Sequence, residues 1–309
     1  MLGTNWLKRL GLALMFSGLT ACGGGDPEPN IVETAQADAR FSTLVEAVQA
    51  AGLADTLSGP GPFTVFAPTN DAFAALLAEL GVTKAQLLAD KALLMQVLQY
   101  HVLPSQVLKA GVPLGKPITP LAGGIFKVDS RGSDLVITDG RNRTARITAT
   151  DLQTRNGVIH VVDRVLLPAD KTIVATAQAT PDFSILVEAV VAAGLVDTLN
   201  GTGPFTVFAP TNAAFAKLLT ELGVTKAQLL ADKALLTQVL TYHVLPARVL
   251  KADVPVGSAI TTVQGQTFTV DASLAITDQR ARKAAITATD VLARNGVIHV
   301  IDTVILPRP

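Results

Sequence analysis

Apolar positions along the chain follow helical spacing first and strand spacing second, and the whole order is then repeated. Phe41, Leu44, Val45 and Val48 form one helical stripe, stopped by Gly52. Phe63-Thr64-Val65-Phe66-Ala67-Pro68 reads as a strand with Phe63 and Val65 on one face and Thr64 and Phe66 on the other. Pro68 cannot continue a central strand and ends the run. Thr69 or Asn70 caps the next helix, which carries Ala72 to Leu77 and ends at Gly81. Thr83-Lys84-Ala85-Gln86 fits a capping box. Asp90 caps a third helix with the stripe Leu93, Leu94, Val97 and Leu98, and Pro104 halts it.

From Ile118 the period changes to that of strands. Phe126 alternates with Val128, Leu135 with Ile137, and Ile147 follows. Val158-Ile159-His160-Val161-Val162 is apolar on both faces, as a strand inside a sheet should be. Helices first and strands second predict an α+β unit rather than an alternating α/β one.

The unit is duplicated. Ile31 to Asp129 aligns with Ile173 to Asp271 without a gap, with about three quarters of positions identical. The remainder aligns after a loss of three residues at Arg131-Gly132-Ser133, where a hairpin can shorten without moving its strands. Two long copies are two domains, not a solenoid of short repeats. Pro168-Ala169-Asp170-Lys171 is a short link, so the domains should sit close together with limited relative motion.

Composition narrows the functional classes. The chain has 309 residues, 49% hydrophobic and 16% charged, with a formal net charge of zero. That is ample for two aliphatic cores, and no basic patch points to nucleic acid. Cys22 is the only cysteine, which excludes an intrachain disulfide and a cysteine-based metal site. There is no G-x-S-x-G elbow, no phosphate-binding glycine loop and no H-E-x-x-H, so an enzyme is not expected, nor a cofactor or a metal.

The first residues read as a targeting segment. Lys8 and Arg9 precede the apolar run Leu10 to Leu19, too short to span a bilayer. Leu19-Thr20-Ala21-Cys22 resembles the bacterial lipobox, which implies cleavage after residue 21 and lipidation of Cys22. Loss of residues 1–21 removes Lys8 and Arg9 and leaves a mature chain near −2. Gly23 at the second mature position favours the outer membrane, by resemblance to Gram-negative lipoproteins. The expected division is 1–21 signal peptide, 22–30 flexible tether, 31–168 first domain and 172–308 second domain.

Three motifs, each present twice and in order, identify a family resemblance. Thr64 to Phe73 resembles the first signature of the fasciclin (FAS1) domain, and Asn156 to Asp163 resembles its second. Tyr100-His101-Val102-Leu103-Pro104 resembles the tyrosine–histidine motif between them. The second copy repeats them at Thr206 to Phe215, Tyr242 to Pro246 and Asn295 to Asp302. The resemblance implies two tandem FAS1 domains, each a wedge of strands packed with a helical layer. It also implies cell-surface or extracellular placement and adhesion to matrix, polysaccharide or cell-surface macromolecules. The binding residues it points to are Tyr100, His101, Tyr242 and His243, the positions that match the region used for integrin binding in animal members. Arg131-Gly132-Ser133 is not Arg-Gly-Asp.

Read from spacing alone, His101, His160, His243 and His299 are core histidines holding backbone hydrogen bonds. Asp151 and Asp290 are read as turn formers, and Asn156-Gly157 and Asn295-Gly296 as tight turns. Asp71 sits at a helix start where the second copy has Ala213. A periplasmic protein binding a small molecule or lipid beside the Tyr-His segment is the alternative reading.

Overall fold

The structure, a computed structural model, describes residues 28–309. The expected signal peptide, Cys22 and most of the expected tether lie outside the described residues.

The first domain begins with three helices: α1 (Ile31–Ala37), α2 (Ser42–Ala51) and α3 (Ala54–Ser58). Strand β1 (Phe63–Pro68) follows, then α4 (Asn70–Leu80), α5 (Lys84–Ala89), α6 (Lys91–Tyr100) and the short β2 (Val102–Leu103). The stranded half is β3 (Lys127–Arg131), β4 (Asp134–Thr138), β5 (Thr144–Thr154) and β6 (Gly157–Val162). The sheet order is β2-β1-β6-β5-β4-β3, with β1 parallel to β6 and every other neighbour antiparallel.

All but one of the start and stop signals act as the sequence predicts. Thr69, rather than Asn70, caps α4 by accepting from Ala72 N–H. The Asn70 carboxamide instead accepts from Thr43 N–H and donates to Ala39 O, tying α4 to the start of α2. The Thr83–Gln86 capping box and the Asp90 cap both form. Gly52 and Gly81 take the left-handed conformation that closes α2 and α4, at φ 72° and 66°. Pro104 does not halt α6: the helix ends at Tyr100, and Val102-Leu103 already pairs with β1.

The central strands separate two apolar layers. Val65, Ala67, Ile159 and Val161 face the helices with Phe41, Leu44 and Phe73. Phe66, Phe126, Val128, Ile137 and Val162 pack on the other face. The second domain repeats both clusters, and each of these four clusters stays within its own half.

Its elements are α7 (Ile173–Gln178), α8 (Ser184–Ala193), α9 (Val196–Leu199), β7 (Phe205–Pro210), α10 (Asn212–Leu222), α11 (Lys226–Ala231) and α12 (Lys233–Tyr242). Then come β8 (Val244–Leu245), β9 (Ala259–Thr261), β10 (Thr267–Val270), β11 (Ala275–Thr277), β12 (Lys283–Ala293) and β13 (Gly296–Ile301). The order is β8-β7-β13-β12-β11-β10-β9. The three-residue loss shortens the strands as well as the turn: β3 and β4 have 5 residues each, β10 and β11 have 4 and 3.

Asp151 and Asp290 do not end strands in turns. Both lie inside an unbroken strand, at an irregularity in the pairing of β5 with β6 and of β12 with β13, at φ 60° and 61°. Asn156 and Asn295 lie in the two-residue turns that lead into β6 and β13, and do more than turn the chain. Asn156 Oδ1 accepts from Ile31 N–H at 3.0 Å, and its Nδ2 donates to Leu57 O and Gly59 O. Arg155 N–H donates to Pro29 O at 3.0 Å, so the chain entry is pinned beside the start of β6.

Candidate interaction site

The Tyr-His segments sit at the ends of α6 and α12, where the helical layer meets the sheet. All four residues are buried. His101 Nδ1–H donates to Val97 O at 2.7 Å, and Nε2 accepts from Leu166 N–H at 2.8 Å. His243 does the same with Val239 O at 2.7 Å and Ile305 N–H at 3.1 Å. Both ring nitrogens are committed, which fixes one neutral tautomer. Burial pulls both rings down to about 4 from an ordinary 6.5, against the pull of the backbone carbonyl each one holds.

Tyr100 and Tyr242 point into the opposite apolar layer. Tyr100 packs edge-on against Phe126 at 5.8 Å, and Phe126 against Phe66 at 5.2 Å. Tyr242, Phe268 and Phe208 repeat the arrangement at 6.0 and 5.1 Å. The Tyr100 hydroxyl donates to Ile125 O, and the Tyr242 hydroxyl to Thr267 O at 2.7 Å. Burial raises both phenols, Tyr242 to about 12 and Tyr100 further, with the Asp139 carboxylate adding to the rise. Each tyrosine thus anchors the backbone at the start of its domain's hairpin.

His160 and His299 are also satisfied. His160 Nδ1 accepts from Asp151 N–H at 3.2 Å and its Nε2–H donates to Val107 O at 2.8 Å; His299 repeats this with Asp290 and Val249. Burial lowers His299.

The sequence reading passed over Asp139 and Asp278, although both copies carry them. Buried Asp139 accepts from Arg141 N–H, Arg143 N–H, the Arg143 guanidinium and Leu167 N–H. Asp278 repeats the three backbone bonds with Arg280, Arg282 and Leu306. These carboxylates strap the last residues of each domain onto its hairpin.

The domains meet through the hairpin end of the first. Ile125 joins Leu250, Leu292 and Val297 in one apolar cluster across the junction. Lys127 Nζ lies 2.8 Å from Asp290 Oδ2 and 3.1 Å from Asp129. Asn142, at φ 63°, accepts from Leu292 N–H at 2.6 Å and donates to Leu292 O at 3.0 Å. Lys116 and Asp253 add an ion pair at 3.3 Å. Among the described residues no group of His, Cys, Asp and Glu could hold a metal ion, and no helix is long and apolar enough to cross a membrane.

The fasciclin domain family model matches twice, over residues 39–168 and 181–307. The chain belongs to the fasciclin domain family. It is 31% identical over 294 residues to transforming growth factor-beta-induced protein ig-h3 of Oryctolagus cuniculus, covering 94% of this chain and 41% of that protein. It is 45% identical over 148 residues to Protein sll1483 of Synechocystis sp., covering 46% of this chain and 76% of that protein. A solved FAS1 domain pair from the insect cell adhesion molecule Fasciclin I matches at TM-score 0.43 and 20% identity, over 86% of this chain and 97% of that one. The chain spans about two fifths of the length of the ig-h3 proteins it matches.

Within a fasciclin domain, then, the Tyr-His motif is an internal bolt. Its Tyr and His side chains are buried and hydrogen-bonded to the backbone. What it positions is the hairpin end, at Ile125 or Thr267, and the Ile125 end is where the first domain touches the second.

Proposed function

We propose that this chain is a lipid-anchored adhesion or interaction protein of a bacterial envelope, its two fasciclin domains presented as one body. The duplicated fasciclin fold with a side-chain-specific junction carries the reading. The lipobox at Leu19 to Cys22 and the Gly23 that follows support an outer-membrane anchor, with a mature tether over 22–30 and domains over 31–168 and 172–308. The partners are matrix, polysaccharide or cell-surface macromolecules met by the domains' outer faces. Tyr100, His101, Tyr242 and His243 serve binding indirectly, by holding the hairpin ends and the closing strap in place.

Two measurements test this. Cys22→Ser should move the protein from the membrane pellet to the soluble fraction, and equal retention would refute the anchor. The mature protein should bind polysaccharide- or matrix-coated surfaces, and deletion should reduce cell adhesion. Loss of neither would refute the adhesion role.

The alternative reading has one observation in its favour. Each domain has an apolar crevice under its first two helices, lined in the first by Ile31, Ala35, Leu44, Val48, Val65 and His101 and in the second by their counterparts. Each holds only about 30 Å³ of open space, so a lipid or small molecule would have to part the helices. A ligand that raises the melting temperature of the wild type but not of the Val48→Phe, Val190→Phe variant would favour this reading.

A further inference from the structure

The junction joins unlike surfaces: the hairpin end of the first domain and a socket on the second. Because the domains are copies, the first domain owns the corresponding socket, and among the described residues its rim at Leu108 and Gln153 stands exposed. The covered socket has three parts: an apolar floor of Leu250 and Val297, the Asp290 carboxylate, and the open edge of β12 at Leu292. The corresponding residues of the first domain are Leu108, Val158, Asp151 and Gln153.

These parts are already in their bound arrangement. Asp151 Oδ1 accepts from Lys109 N–H at 2.8 Å, as Asp290 Oδ1 does from Lys251 N–H at 2.7 Å. In the second domain the other carboxylate oxygen holds Lys127. Gln153 stands opposite Val158 in the same register as Leu292 opposite Val297. β4 pairs with β5 only from Thr144 to Ile147, which leaves the β5 edge at Gln153 open as the β12 edge is at Leu292. The difference is cover at the rim: Leu250 is 0% exposed and Leu108 is 39% exposed, while Val158 is buried as Val297 is.

We infer that the socket Leu108–Asp151–Gln153 receives the hairpin end of a fasciclin domain from another protein, one presenting a branched apolar side chain, a lysine and a left-handed asparagine. The occupant's chemistry is read from the seated one, Ile125, Lys127 and Asn142. The lysine meets the Asp151 carboxylate, the carboxamide takes the backbone N–H and C=O of Gln153, and the apolar side chain covers Leu108. A second copy of this chain does not supply that end. Its first hairpin end is engaged within its own chain, and its second carries Thr267, Thr269 and Ala281 at the three positions. The inference is independent of the anchor and of the matrix partner proposed above.

Grafting the missing end tests it directly. Thr267→Ile, Thr269→Lys and Ala281→Asn together put the seated chemistry on the free end of the second domain. Ala281 already lies at φ 60°, a conformation asparagine tolerates better than alanine. The wild type should stay monomeric in light scattering, while the triple variant should associate head to tail, its average mass at least about doubling with concentration. Adding Leu108→Lys and Asp151→Asn should return it to monomer. A folded triple variant that stays monomeric overturns the inference, as does association that survives the socket changes. A wild type that associates through the socket would assign it to a second copy and overturn the occupant named here. Should the triple variant misfold, Thr269→Lys with Ala281→Asn alone gives the same readout with weaker association.

Discussion

The two domains agree where the chain folds and disagree where it meets other surfaces. Tyr100 and Tyr242, His101 and His243, Asp139 and Asp278, Asn156 and Asn295 keep the same partners in both halves. Ile125, Lys127 and Asn142 stand where the other copy has Thr267, Thr269 and Ala281, and there the hairpin end is bonded within its own domain, by Gln279 and by pairing with β9. Leu292, covered, corresponds to Gln153, bare. Both halves keep one set of buried hydrogen bonds, whereas the seated hairpin end and the strand edge it covers differ from their counterparts.

Removing a core ring should hurt the halves equally. Phe66→Ala and Phe208→Ala each empty an aromatic site in the same stacked group and should cost about 3–5 kcal/mol. Scanning calorimetry would show the two variants unfolding alike. A clear difference would mean that the junction props up one half more than the other.

Acid should also act on both halves together. His101 and His243 titrate near 4 in the folded protein and near 6.5 unfolded. Above pH 6.5 the rings are neutral in both states and cost nothing. As the pH falls from 6.5 to 4 the unfolded chain takes up protons that the folded chain refuses. The loss grows to about 3 kcal/mol per ring by the lower limit. His101→Gln should flatten that part of the pH profile of the melting temperature, and His243→Gln should flatten it by a similar amount.

Charge at the junction should separate the halves. Lys127→Ala leaves the buried Asp290 without its cation and should cost about 2 kcal/mol. Thr269→Ala, at the corresponding position of the free end, should cost about 0.5 kcal/mol or less. Urea unfolding of the two variants would measure the contrast, and equal costs would show that the junction contributes no stability.

Much of the interior was legible in the sequence. Helical stripes, the Thr83 capping box, the closing glycines and the β1 strand each leave a local pattern a few residues long. The junction leaves none. Its residues are far apart in the chain, belong to different elements and follow no period. One clue was present: the hairpin ends differ between otherwise similar copies, Ile125, Lys127 and Asn142 standing where the second has Thr267, Thr269 and Ala281. Asp151 and Asp290 were misread because an aspartate after a Thr-Ala-Thr run looks like a turn, whereas each occupies an irregular position inside a long strand. The Tyr-His motif was read as a contact because the family resemblance pointed there, and burial is not visible in a short motif.

The pinning of Pro29 and Ile31 to Arg155 and Asn156 has a mechanical meaning. A pull on the amino-terminal end is met first by these two bonds at the start of β6. A pull on the far end is met by the bonds of Leu166 and Leu167 to His101 and Asp139. Tension along the chain therefore has to break a few hydrogen-bonded fastenings at either end before it loads the strand between β1 and β5.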